Sequence, residues 1–274
     1  MMTIGDARVQ MKTCEPSAVR LMLSQVTGLT KSELTIHHDR VLSPDEIERL
    51  FKMMHRVQQG EPLQYVLGAW DFMGFTFRCD ARALIPRPET ELLVEQAILY
   101  AQQFNKKINI LDLCTGTGCI AISMALLLGA KAYEVTAVDI SDDALSLAYE
   151  NANKLNAKIN FIKADVMQAL PFKDASFDIV VSNPPYIPSE DVHQLDDVVK
   201  NHEPHLALDG GADGINPYRV IIPQAHRVLK HDGGLFLEIG PDGVFDLMTQ
   251  SSWAQCTMIK DYNGLNRIVC GYKT

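Results

Sequence analysis

From Ile108 onward the chain repeats one unit, a short apolar run followed by a helical pattern, and this alternation restricts the fold more than any other feature. Ile108–Leu113, Glu134–Asp139, Ile159–Ile162, Phe177–Val181 and Gly234–Ile239 read as strands, with Ala121–Leu128, Ala144–Leu155 and Val220–Leu229 as helices between them. Apolar runs without polar alternation suit strands covered on both faces, which is the environment of a parallel sheet wrapped by helices. Two more strands flank Asp261-Tyr262-Asn263-Gly264, whose Asn-Gly pair reads as a hairpin turn. The expected fold class is α/β, a doubly wound and mostly parallel sheet of seven strands.

The segment before it reads differently. Val9 to Gln59 carries short amphipathic helical patterns, and Ser43-Pro44-Asp45-Glu46 forms a capping box ahead of Ile47, Leu50, Phe51 and Met54. Gly60-Glu61-Pro62 ends that segment. Tyr65-Val66-Leu67-Gly68 followed by Phe72–Phe77 predicts a linking β-hairpin, and Ile85-Pro86-Arg87-Pro88-Glu89-Thr90 opens a helix towards Tyr100. The expected division is a helical unit over 1–68, a hairpin linker over 69–84 and the α/β unit over 85–274.

Charge and cysteine usage narrow the chemistry. The net charge of −9 is carried entirely by the second part, because residues 1–68 hold 8 basic and 8 acidic side chains. An acidic catalytic unit repels phosphate backbones and argues against a nucleic-acid substrate. The 6 cysteines contain no Cys-x-x-Cys pair, so neither a zinc ribbon nor a disulfide framework is expected. His202-Glu203-Pro204-His205 reads as a polar loop rather than a metal site, since Pro204 breaks the helix that would align the imidazoles. No apolar stretch is long enough to span a bilayer, and the expected location is the cytoplasm.

The strand ends hold the candidate site. Cys114-Thr115-Gly116-Thr117-Gly118 follows the first strand and opens a helix, where glycines let the backbone approach a ligand. Asp139 ends the second strand about 20 residues on, the place of an acid that binds ribose hydroxyls. Asp165, with Val166 beside it, ends the third and is placed to accept an adenine amine, although a lone Asp there is more often a turn acid or helix cap. On residue types alone, a nicotinamide dinucleotide and S-adenosylmethionine are both open.

Asn183-Pro184-Pro185-Tyr186 ends the fourth strand. Asn183 offers a carboxamide oxygen, the prolines leave a backbone carbonyl free, most simply that of Pro184, and Tyr186 offers a ring face. Such a cup suits a planar nitrogen-bearing group. An ordinary proline-rich turn is the competing reading, and convergence with three other strand ends on one crevice tells against it.

These residues, with Ile85–Glu91, Gly60–Tyr65, Glu203–Gly211 and Asp213-Gly214, resemble the HemK/PrmC family of peptide-chain-release-factor glutamine methyltransferases. Asn-Pro-Pro-Tyr alone is shared with adenine-N6 methyltransferases; the Ile85–Glu91 and Glu203–Gly214 stretches are more specific. The resemblance implies a class I, Rossmann-like methyltransferase unit behind a helical substrate-recognition domain. It also implies S-adenosyl-L-methionine as donor and S-adenosyl-L-homocysteine as product. The implied cofactor contacts are Cys114 to Gly118, Asp139, Asp165, Val166 and Asn183, and the implied glutamine pocket is Asn183 to Tyr186, with Asn183, Pro184 and Tyr186 catalytic. The implied partner is a class I release factor methylated at its Gly-Gly-Gln glutamine, and a monomer is expected. Cys114 stands where a glycine is usual and Val166 where some members carry an aromatic ring, departures that bear on cofactor affinity. No His or Cys stands beside the cup in sequence, so catalysis is expected to rest on positioning. The nearest rival is an N6-adenine or ribosomal-RNA methyltransferase; an NAD-dependent oxidoreductase would leave Asn183–Tyr186 without a task.

Overall fold

The computed structural model describes residues 1–129, 133–240 and 242–274. Five helices come first: α1 (Ile4–Gln10), α2 (Pro16–Thr27), α3 (Glu33–Ile36), α4 (Pro44–Gln58) and α5 (Leu63–Leu67). Ile4, Met22, Leu23, Leu34 and Leu50 are fully buried where they meet, forming a core separate from that of the sheet. The α4 start is the capping box the sequence predicts. The Ser43 hydroxyl accepts from the Glu46 amide, the Glu46 carboxylate accepts from the Ser43 amide, and Pro44 needs no amide partner.

A two-stranded hairpin follows, β1 (Ala69–Phe72) paired antiparallel with β2 (Phe75–Arg78). Here one expectation is corrected: Tyr65, Val66 and Leu67 lie in α5 and not in a strand. Pro62 starts the turn and Gly68, at φ 70°, ends it left-handed, so local caps override the β-branched and aromatic composition. The short helix faces two ways. Val66 packs into the helical core, while the buried Tyr65 hydroxyl donates to the Ala83 carbonyl at 2.7 Å, next to the loop that leads into the large unit.

The large unit opens with α6 (Pro88–Ala101), then β3 (Ile108–Leu113), α7 (Cys119–Leu128), β4 (Tyr133–Asp139), α8 (Asp142–Leu155), β5 (Asn160–Lys163) and β6 (Phe177–Ser182). Two short helices, α9 (Ser189–Val192) and α10 (Asp197–Lys200), precede α11 (Asn216–Val228), β7 (Leu229–Glu238), α12 (Gly243–Thr249), β8 (Ala254–Lys260) and β9 (Asn266–Tyr272). The seven-stranded sheet runs β5-β4-β3-β6-β7-β9-β8; β3 to β7 are mutually parallel and β9 is antiparallel to both of its neighbours.

Alternation within the strands divides the interior between two faces. Ile108, Ile110, Ile179, Val181 and Phe236 pack with α6 and α7, while Leu111, Leu113, Val180, Leu235 and Leu237 pack with α11 and α12. Each fully buried aliphatic side chain of this kind contributes roughly 1.5–3 kcal/mol. Because both faces are covered, the strands present only their ends to a ligand. The order reverses between β3 and β6, and the crevice outside the carboxyl ends at that point is where ligands bind in such sheets.

Among the described residues no helix is long and apolar enough to cross a membrane. The Ser43 cap gives a direct check on the helical unit. Ser43→Ala should lower its stability by about 1 kcal/mol in urea unfolding, and an unchanged midpoint would mean that the cap carries no weight.

Candidate active site

Four strand ends open on one crevice of about 390 Å³, a volume typical of small-molecule sites. The parallel register sets Leu113 opposite Ser182, and the Ser182 hydroxyl donates to the Leu113 carbonyl at 2.8 Å. The next residues on each side are therefore neighbours: Cys114 of the glycine loop and Asn183 of the proline-rich turn.

The glycine loop is held from two directions. Asp112, fully buried at the end of β3, accepts from the Thr115 hydroxyl at 2.6 Å and the Ala121 amide at 3.2 Å. Asp139 accepts from the Gly116 amide at 2.9 Å and the Ser141 amide at 3.0 Å. Burial raises both carboxyls above their ordinary range, Asp112 to about 7. Among the described residues the second oxygen of Asp112 has no partner. Gly118 caps α7 at φ 79°, and a Cβ there would sit 3.0 Å from Ala148 Cβ and Ile122 Cδ1. Cys114 adopts φ 61°, which explains why a glycine is the easier residue at this position.

The proline-rich side of the crevice is built from remote segments. Asn183 donates its side-chain N–H to the Thr90 hydroxyl at 3.2 Å, and Thr90, at the start of α6, donates in turn to the Glu238 carboxylate at 2.6 Å. Glu238 is 1% exposed and Thr90 is 3% exposed. Burial pushes the Glu238 carboxyl up to about 7. Pro184 is buried, and among the described residues its carbonyl accepts no backbone hydrogen bond.

A wall formed by Glu203 to Gly214 closes the crevice. Glu203 accepts from the Ile85 amide at 3.1 Å and the Arg87 guanidinium at 2.5 Å, with its side chain 1% exposed. This pair, its carboxylate buried and its guanidinium partly exposed, ties the Ile85–Glu91 stretch to the wall. Ile187 then joins Asp209 in a parallel bridge, with the Ile187 amide donating to Leu208 and the Gly210 amide donating to Ile187. Asp209 accepts from the Ser189 hydroxyl and the Gly211 amide, which hold its carboxyl below the ordinary range.

Of the residues singled out in sequence, Cys114, Thr115, Gly116, Thr117, Asp139, Asp165, Val166, Asn183 and Pro185 line the crevice, and Gly118, Pro184 and Tyr186 are not among its lining residues. One carboxylate oxygen of Asp165 caps its own turn through the Met167 amide at 2.8 Å. Tyr186 does not turn its ring into the crevice. The ring lies against Gly240, where a Cβ would collide with Cδ2, and burial pushes the phenol up to about 12. Pro241, which follows Gly240, lies outside the described residues.

The structure also brings a cysteine to the cup. Cys114 follows Leu113, which pairs with Ser182 beside the cup, and Cys119 lines the same crevice. Burial raises both thiols, Cys119 to about 12, so neither supplies a thiolate base near neutral pH. No histidine lines the crevice among the described residues.

Residues 11–68 match a family described as the PrmC N-terminal domain, and residues 104–261 match a methyltransferase domain. A release factor glutamine methyltransferase from Geobacter sulfurreducens is 36% identical over 253 residues, covering 91% of this chain and 87% of its own. Its counterpart in Chlorobaculum tepidum is 40% identical over 262 residues, covering 91% and 87%. The chain belongs to the release factor glutamine methyltransferase family. The Bacillus subtilis member is 35% identical over 263 residues, covering 93% of this chain and 91% of its own. In fold alone, the chain is similar to a methyltransferase from Pyrococcus furiosus, with a TM-score of 0.50 at 16% identity over 84% of this chain and 99% of that one.

The residues of this family member fit an adenosyl sulfonium donor. A left-handed glycine at 116 and the carboxylates of Asp139 and Asp165 line one crevice, and they suit a cationic ligand with hydroxyl and amine groups. A direct check is Gly118→Ala. The left-handed backbone alone costs about 1–2 kcal/mol, so the thermal midpoint and S-adenosylhomocysteine affinity in calorimetry should both fall; unchanged values would show that the cradle tolerates a Cβ.

Proposed function

We propose that this enzyme transfers the methyl group of S-adenosyl-L-methionine to the side-chain amide nitrogen, N5, of the glutamine in the Gly-Gly-Gln motif of class I peptide chain release factors, and so modulates translation termination. The observation that carries this reading is the geometry at Asn183. Its N–H is committed to Thr90, its oxygen is left for an incoming donor, and the Pro184 carbonyl beside it is free of backbone partners. Two adjacent acceptors match the two N–H groups of a primary carboxamide.

Cys114, Thr115, Gly116, Thr117 and Gly118 would cradle the methionine portion of the donor, Asp139 its ribose hydroxyls, and Asp165 and Val166 its adenine, with Asn183 at the reacting end. The bound donor supplies an electrophilic methyl on a positively charged sulfur. The remaining work belongs to the protein. An amide nitrogen is a weak nucleophile because its lone pair is delocalised into the carbonyl, and no histidine or thiolate is at hand to deprotonate it. Asn183 and the Pro184 carbonyl would hold both N–H groups and aim the nitrogen along the transfer axis. Orientation of this kind recovers about 7–11 kcal/mol of a barrier. As the nitrogen gains its methyl group it becomes acidic, and a proton leaves through one of these acceptors. Pro185 would form the floor beside the acceptor, and Tyr186 would back the turn from behind, seated on Gly240.

In this reading the acceptor is a protein rather than a nucleic acid, and the enzyme acts as a monomer in the cytoplasm. Residues 1–68 form a substrate-recognition unit, 69–84 a hairpin linker and 85–274 the catalytic unit. The hairpin supports the proposed assembly: the Arg78 amide donates to Asn151 of α8 at 2.6 Å, and Asn151 donates to the Thr117 carbonyl at 3.0 Å, joining the linker to the glycine loop.

Asn183→Ala is expected to lower methyl transfer to a purified release factor by about 100-fold or more while leaving S-adenosylmethionine affinity near that of the unmodified enzyme. Mass spectrometry of the Gly-Gly-Gln peptide with parallel calorimetry reads both. Near-normal methylation would remove Asn183 from the acceptor site, and absence of any 14-dalton-type mass gain with the unmodified enzyme would reject the activity itself.

A further inference from the structure

Glu238 is a carboxylate without an evident reason to be buried. It ends β7 between two apolar layers, and burying such a group costs free energy unless its position is used. Its side chain meets one hydroxyl, that of Thr90, and Thr90 meets one amide, that of Asn183. These contacts link residues from the end of β7, the start of α6 and the turn after β6 into one line that reaches the crevice.

The order of donors along that line is forced. A carboxylate only accepts, so the single hydroxyl hydrogen of Thr90 goes to Glu238. The Thr90 oxygen is then left to accept, and only the NH₂ end of the Asn183 amide satisfies it. With NH₂ turned inward, the planar amide turns its oxygen the other way. Reversing the first link reverses the last.

We propose that Glu238, acting through Thr90, is a positioning residue that decides which end of the Asn183 amide faces the substrate, and thereby selects a carboxamide NH₂ over an oxygen acceptor. The proposal rests on the reading that the Asn183 oxygen receives the glutamine N–H. Removing the carboxylate frees the Thr90 hydrogen to turn towards the Asn183 oxygen, which presents NH₂ to the crevice and opposes an N–H from glutamine.

Protonation does the same reversibly. Burial holds the Glu238 carboxyl near 7, offset by the Thr90 hydrogen bond and by Arg267 of β9 and Arg87 before α6, while Glu89 of α6 pushes it higher. Tyr186, Tyr218 of α11 and Cys119 of α7 also feel its charge, and burial keeps all three protonated. Below pH of about 7 the protonated carboxyl donates to Thr90 and the ordering is lost. Turnover therefore falls on the acid side.

The test uses the full-length enzyme with a purified release factor and a second copy carrying Glu in place of the motif's Gln. Glu238→Met, of similar volume, should lower kcat by about tenfold with little change in KM, and should flatten the acid limb of the pH profile. Thr90→Val should match it, and Thr90→Ser, which keeps the hydroxyl, should recover most of that loss. In calorimetry with S-adenosylhomocysteine, Glu238→Met should narrow the preference for the Gln over the Glu release factor by about tenfold. Wild-type kcat and Gln preference in Glu238→Met, or equal losses in Thr90→Ser and Thr90→Val, would overturn the proposal. Failure of the unmodified enzyme to methylate the Gln protein would reject the underlying reading instead.

Discussion

The pairing of β3 with β6 is the constraint on which the site depends. Its register ends with Leu113 opposite Ser182, and the Ser182 hydroxyl adds a further bond to the Leu113 carbonyl. Two loops with no sequence proximity, the glycine loop and the proline-rich turn, begin at the next residue on each strand. A one-residue slip would turn every side chain of β6 to the opposite face and move the turn away from the glycine loop. Burial on both faces prevents that slip, since Ile179 and Val181 belong to one apolar layer and Val180 to the other.

Around this ladder the protein uses buried polar links rather than mobile surface groups. Arg87 and Glu203 join the segment before α6 to the wall after α10, Asp139 ties β4 to the Gly116 amide, and Asn151 ties α8 to both the hairpin and the glycine loop. Such links are costly when half-made, so they favour one arrangement of the crevice over many. That rigidity suits a reaction in which no strong base assists and geometry carries the rate enhancement.

Much of this was legible in the sequence for definite reasons. Continuous apolar runs identify strands covered on both faces, and glycine, acid and proline signals mark their ends, so the sheet, the glycine loop, Asp139 and Asn183 were all accessible. The capping box at Ser43 was equally local. The contacts of Thr90, Glu203 and Glu238 were not. Their importance comes from contacts spanning 93, 116 and 148 residues, and a lone buried carboxylate leaves no periodic trace. Tyr65–Leu67 was misread as a strand because composition favoured one, while Pro62 and Gly68 set helix limits. The ring of Tyr186 was expected to face the acceptor; the room left by Gly240 draws it behind the turn.

The account stands or falls on where a glutamine side chain lies. A crystal structure of the enzyme with S-adenosylhomocysteine and a Gly-Gly-Gln segment of a release factor measures this directly. The account predicts the carboxamide nitrogen at about 2.7–3.2 Å from both the Asn183 side-chain oxygen and the Pro184 carbonyl, facing the donor sulfur. A glutamine bound against another wall of the crevice, or one meeting Asn183 through its own carbonyl oxygen, would contradict it.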